Sequence, residues 1–387
     1  MLTGSKSRLA GIDALRGVAM VLMVLDHVRD FMGRSAAPEL IPHVDAPLFL
    51  TRWVTHFCAP VFVLLAGVGA GLYGSRVESR GALARFLVTR GLWLVLLELT
   101  LVHVAWNFAL PSNGLVALQV IWALGWSMVL LAGLVWLGRG AILVLCLPLL
   151  AFHEQLAHTA IEQAVRSTSG VLTEPGAVLW SILHVEFRPV LRGNVLVLYT
   201  VVPWCALMGF GYALAPALAG GARRRVALGL GMVLIAAFVL LRRGPLDPDR
   251  TPVAAAPWIE FLNCSKYPPS VMFLLMTLGP ALVGLALLDR LPEARVTRWL
   301  ATFGRVPLFF YVLHLFVAHA VGVVFLRATT GAWHSSVFTA APPPGTQASL
   351  PAIYMTWAGV VCALYPVCRW FMAVKARHRG AWWTSYV

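Results

Sequence analysis

Residues 12–32, IDALRGVAMVLMVLDHVRDFM, read as one helix long enough to cross a bilayer, yet they carry Asp13, Arg16, Asp26 and His27. Ionisable side chains at membrane depth are costly, so four of them in one span mark each as a functional candidate. On an ideal helix Arg16 and His27 are about three turns apart, which puts them on one face and roughly 16 Å apart along the axis. A polar stripe therefore links one mouth of the membrane to its opposite half. Asp13 and Arg16, at i and i+3, also have the spacing of a local ion pair.

The rest of the chain agrees with a membrane reading. Of 387 residues, 59% are hydrophobic and 12% are charged, against about 25% charged in soluble domains. Apolar segments near 12–32, 48–73, 83–105, 114–137, 140–156, 194–218, 224–241, 270–289, 304–326 and 349–372 predict an all-α, polytopic transmembrane helix bundle of about ten spans. Residues 1–387 form a single domain in this reading, with no room for a large soluble one. The basic N-terminal segment is expected to lead into a retained first span, because no small-residue cleavage site follows it.

The net charge of +14 reports orientation, not nucleic-acid binding. An even span count puts both termini on one side. Arg76, Arg80, Arg85, Arg223, Arg224, Arg225 and Lys375 fall on that side with few acids, whereas the opposite loops mix signs. Both termini are therefore expected in the cytoplasm and the protein in the cytoplasmic (inner) membrane. Three longer loops, about 157–192, 242–268 and 327–348, then face outward, where a large polar ligand would enter. The six cysteines show no CxxC spacing, so neither a disulfide framework nor a structural zinc site is indicated.

Histidines add to the stripe. His27, His56, His314 and His103 come from separate spans and are expected in one layer, the middle to outer membrane, around a shared cavity. Tyr311 lies one turn from His314, whereas His319 points elsewhere and is expected to be structural or interfacial. No two histidines have ligand spacing on one helix face and no HExxH occurs, so no metal is expected. Glu98, two turns above Arg90, is expected to be a member of an intramembrane ion pair.

Four segments carry a family resemblance: GIDALRGVAMVLMVLDHVRDF at 11–31, THFCAPVFVLLAGVGAGLY at 55–73, FLNCSKYPPSVMFLLMTLGP at 261–280 and FGRVPLFFYVLHLF at 303–316. Together they resemble the bacterial relatives of the heparan-alpha-glucosaminide N-acetyltransferase family, within the wider multispan acyltransferases. The resemblance implies transfer of an acyl, in the first instance acetyl, group from cytoplasmic acyl-coenzyme A to an acceptor across the membrane, commonly a sugar or glycan. Arg16 and Gly17 occupy the Arg-Gly of the opening motif, and His27 takes a polar position near the outer end of that helix. The eukaryotic enzyme has an asparagine there and its proposed catalytic histidine in the following loop.

Chemistry assigns roles to these residues. Coenzyme A is a polyanion with a thin pantetheine arm, and Arg16 with Arg85, Arg90 or Arg305 would suit its phosphates. The distance from Arg16 to His27 is of the order of that arm. Acyl transfer needs a base for the acceptor proton and donors for the developing oxyanion. His27 oriented by Asp26 is the expected base, with His56, Tyr311 and His314 as candidate donors. Asn263 and Lys266 are candidate acceptor-binding residues. Expected partners are acyl-coenzyme A, the glycan acceptor, membrane lipid and, as an option, a second copy of the chain. The competing reading is a proton-coupled transporter or exporter that uses the intramembrane His, Asp and Glu as a relay.

Overall fold

The computed structural model describes residues 10–34, 44–110, 115–244, 247, 256–334, 343, 345–378 and 381–385. Lys6, Arg8, Arg379 and both chain ends, which bear on sidedness, lie outside them, as does much of the 242–268 and 327–348 loops.

Each predicted span coincides with a helix, as it must where lipid offers the backbone no hydrogen-bond partners. In chain order these are α1 (Ala10–Phe31), α2 (Ala46–Thr55) running almost directly into α3 (Cys58–Gly74), and α4 (Arg80–Leu97), extended through a π-helical turn, Glu98–Val102, into α5 (His103–Asn107). Next come α6 (Val120–Leu134), α7 (Arg139–Phe152), α8 (Ala160–Ser167), α9 (Pro175–Leu183), α10 (Val201–Ala219) and α11 (Arg223–Leu241). The last five are α12 (Pro257–Leu262), α13 (Val271–Leu288), α14 (Arg295–Arg305), α15 (Pro307–Thr330) and α16 (Leu350–Arg377). Eight stretches have the length and apolarity of a membrane span: 46–74, 80–107, 139–158, α10, α11, α13, α15 and α16. The apolar α6 is shorter, and α1 has the length of a span but carries the charges. The chain is a multi-pass helical membrane protein.

The starts of three predicted spans differ from expectation, in two ways. Residues 115–119 and 194–200 do not begin helices: β1 (Val116–Leu118) and β3 (Val195–Val197) pair in parallel, and β2 (Pro189–Val190) pairs antiparallel to β3. Valine-rich alternation suits a strand, and this small sheet is the exception to an all-α chain. The 157–192 loop also contains α8 and α9. Buried Glu162 holds them together by accepting from Arg166 Nε at 3.0 Å, Trp180 Nε1 at 3.2 Å and His184 Nδ1 at 2.6 Å.

The second difference is at 304. The ninth span begins only at Pro307, because proline cannot donate to a preceding turn and disfavours helix in the residue before it. The separate helix α14 packs against the start of α1 at backbone distance. A Cβ on Gly17 would lie 1.9 Å from the Leu300 carbonyl oxygen, and one on Gly304 would lie 1.8 Å from that of Asp13. Arg16 donates to the Gly304 carbonyl at 3.1 Å, and Arg305 pairs with Asp13 at 3.3 Å. The opening Asp-x-x-Arg-Gly motif and the Phe-Gly-Arg segment are thus two halves of one joint. Because α2, α3, α13, α14, α15 and α16 all pack on α1, its polar stripe lies inside the bundle.

Candidate active site

Two cavities open along α1. One, of about 480 Å³, is lined by Arg16, Met20, Arg76 and Arg90 among otherwise largely apolar side chains. The other, of about 280 Å³, is lined by Asp26, His27, Arg29, Asp30, Arg52, Tyr199, Lys266 and Tyr267. Met23, Phe62, Val120 and Tyr311 line both, so these four form the neck between them. Arg16, Met20, Met23 and His27 are three or four residues apart, the spacing of one helix face, so the stripe read from the sequence runs along both cavities. The walls are completed by the β-sheet region, which supplies Gln119, Leu198 and Tyr199, and by the turn before α13, which supplies Lys266 and Tyr267.

His27 sits beside the neck, in edge contact with Trp106 and Tyr311. Its Nδ1 is 2.7 Å from His314 Nε2, and His314 Nδ1 is 2.9 Å from the Phe310 carbonyl oxygen. A carbonyl can only accept, so His314 Nδ1 carries a proton and, in the neutral ring, Nε2 is an acceptor. His27 must then donate from Nδ1, which leaves its own Nε2 with a lone pair. The fully buried His314 thereby selects the tautomer in which His27 can take a proton.

Charges beside the dyad are paired. Both Asp26 oxygens accept from Arg52 Nη1, at 2.6 and 2.5 Å, and Arg29 Nη2 reaches Asp26 at 3.3 Å and Asp30 at 2.7 Å. Bidentate and shared contacts of this kind offset the desolvation of buried ions. Lys266 Nζ lies over the rings of Tyr199 and Tyr267, 5.8 and 5.1 Å from their centroids.

Several expected placements need correction. Asp26 does not orient His27; its carboxylate is held by Arg52 and Arg29, and His314 takes the orienting position. His56 is buried at the end of α2 with its ring edge-on to Phe273, and lines neither cavity. His103 is also buried outside the cavity walls, near Asn107. His314 stands behind His27, so of the expected donors only Tyr311 reaches the cavities. Arg85 is exposed and Arg305 is engaged with Asp13, leaving Arg16 and Arg90 as the predicted basic residues that line the larger cavity. The Asn263 carbonyl is taken by Arg242, and Asn263 lines neither cavity. Among the described residues Glu98 forms no ion pair; it accepts from the Trp122 backbone N–H at the start of α6, where a helix favours an anion. His319 is buried, bonded to the Ala105 carbonyl and stacked on Phe31 and Phe108.

Sequence reasoning missed Arg52, Arg76, Trp106, Tyr199 and Tyr267. Arg52 carried a signal, since an arginine within an apolar segment needs a buried partner. The aromatic residues carried none, because their rings meet only in the folded chain. Among the described residues no cluster of three or more His, Cys, Asp or Glu is placed to hold a metal ion.

Comparison with known families places this arrangement. The family model described as "Heparan-alpha-glucosaminide N-acetyltransferase, catalytic" matches residues 8–246, more than half of the chain. No curated protein matches the chain. The matched segment holds α1 through α11, with Arg16, His27 and Arg52, whereas Lys266, Tyr311 and His314 lie beyond it. On the extent of that match, the chain belongs to the heparan-alpha-glucosaminide N-acetyltransferase family, a family of transmembrane acetyltransferase type.

Proposed function

We propose that this protein transfers an acyl group, in the first instance acetyl, from acyl-coenzyme A on the Arg16 side to a sugar or glycan acceptor on the Lys266 side. The observation that carries the reading is the neck shared by the two cavities, with the His27 lone pair beside it. In this orientation Arg16 and both termini face the cytoplasm, and the protein resides in the cytoplasmic membrane.

The larger cavity fits the donor by chemistry: three arginines stand among apolar walls that suit a pantetheine arm. When bound, acyl-coenzyme A supplies the activated thioester. Arg16, Arg76 and Arg90 hold its anionic end, and the arm's path leads to the neck. Tyr311, which lines both cavities, is the candidate to donate its hydroxyl hydrogen to the thioester oxygen as charge develops there. His27 Nε2 takes the proton of the acceptor hydroxyl or amine as the acceptor attacks the acyl carbon, then returns it to the departing sulfur. His314 steadies the resulting imidazolium by continuing to accept from Nδ1–H. Direct attack needs only this one base, so no acyl-histidine is invoked. Aromatic faces of Trp106, Phe187, Tyr199 and Tyr267 suit the C–H surface of a sugar ring.

The test is thiol release by the purified full chain, given acetyl-coenzyme A and a panel of sugars and amino sugars. Acceptor-dependent release supports the reading. Absence of release, together with sugar movement across vesicles containing the protein, would replace it with the transporter reading.

A further inference from the structure

The smaller cavity holds a buried lysine, Lys266. Among the described residues its acidic lining residues are Asp26 and Asp30, and both are already engaged by Arg29 and Arg52. Lys266 is the remaining cation, only 7% exposed, and among the described residues no carboxylate lies within ion-pair distance of its Nζ. Its neighbours are the rings of Tyr199 and Tyr267. Such rings stabilise an ammonium but do not neutralise it. The lysine is also held in place: Lys266 bridges to Pro269 across a turn that closes with Ser270 N–H donating to the Ser265 carbonyl at 2.9 Å. A buried, positioned ammonium facing a cavity with no counter-ion of its own is suited to receive one from a ligand.

We infer that the acceptor is an acidic sugar, whose carboxylate or phosphate pairs with Lys266 while its ring lies against Tyr199 and Tyr267. This rests on the reading of the smaller cavity as the acceptor chamber, and narrows the substrate class from sugars in general to anionic ones. The anion would give Lys266 a counter-charge beside His27 and fix which hydroxyl or amine of the sugar faces the neck.

The experiment measures binding without any acyl donor. The full chain in detergent is titrated with glucuronate, glucose 1-phosphate and glucose, followed by intrinsic fluorescence, since Trp106, Tyr199 and Tyr267 line the cavity. At least one acid is expected to bind tenfold or more tighter than glucose, and the two acids tell a carboxylate preference from a phosphate one. Lys266→Met and Lys266→Gln should both abolish the preference, and Lys266→Arg should retain part of it. Equal binding of glucose and the acids, or an intact preference in the Met and Gln variants, would overturn the inference. Thiol release from acetyl-coenzyme A is measured alongside. Acid preference without release would leave the anion site standing and remove the acyl-transfer reading, and release without acid preference would do the reverse.

Discussion

His314 Nε2 accepts from His27 Nδ1 at 2.7 Å, across two helices that lie at opposite ends of the sequence. The contact replaces the carboxylate that usually orients a catalytic imidazole with a second, neutral imidazole anchored to a backbone carbonyl. His27→Ala is accordingly expected to fold, to bind acyl-coenzyme A, and to lose about 10²–10⁴-fold in turnover, the usual contribution of a positioned base. Steady-state thiol release checks this; near-normal turnover would remove His27 from the chemistry.

In the proposed mechanism His314 acts through His27, so its substitution should lower kcat with little change in donor KM, and less severely than loss of His27. A glutamine can still offer an oxygen to His27 Nδ1–H. His314→Gln should therefore retain more activity than His314→Ala. If the two variants are equally impaired, tautomer control is not what His314 supplies.

Arg52→Ala removes the closer partner of buried Asp26, which keeps only the 3.3 Å contact to Arg29, and should destabilise the protein by up to about 3–5 kcal/mol, the cost of leaving a buried charge without its main partner. Adding Asp26→Asn should recover part of the loss. Thermal unfolding of the four proteins in one detergent gives the coupling, and simple additivity would contradict it.

At the other end of the stripe, Arg16→Ala should raise the donor KM, and Arg16→Lys should restore part of it by keeping charge without the planar fork. Arg85→Ala, at an exposed position off the cavity wall, should leave donor KM near its wild-type value. An unchanged donor KM in folded Arg16→Ala would reduce Arg16 to a structural role, such as its contacts with Gly304 and Asp13.

Gly17→Ala would place a methyl group against the Leu300 carbonyl, with backbone on both sides and no flexible side chain to yield. Forcing α14 off α1 should cost at least about 1–3 kcal/mol. Loss of thermal stability together with a raised donor KM is the expected pair of effects, because the same joint holds Arg16. A wild-type melting temperature would argue against the close packing.

By itself the sequence determined the class of molecule. Apolar segments of membrane length can only be helices, because lipid leaves backbone groups no other partners, so the spans were legible one by one. The stripe from Arg16 to His27 was equally legible, since both residues share one helix and its periodicity alone sets their face and separation. Which partners that stripe meets was decided by tertiary structure. His314, Arg52 and Lys266 reach it from α15, α2 and the turn before α13, and nothing local to those segments says which way they face. For the same reason His56 and Asn263 looked like equals of His314 and Lys266 but turn away from the cavities. Packing also decided the role of Asp26: a carboxylate next to His27 in sequence is turned about 100° from it on a helix, and Arg52 was there to take it.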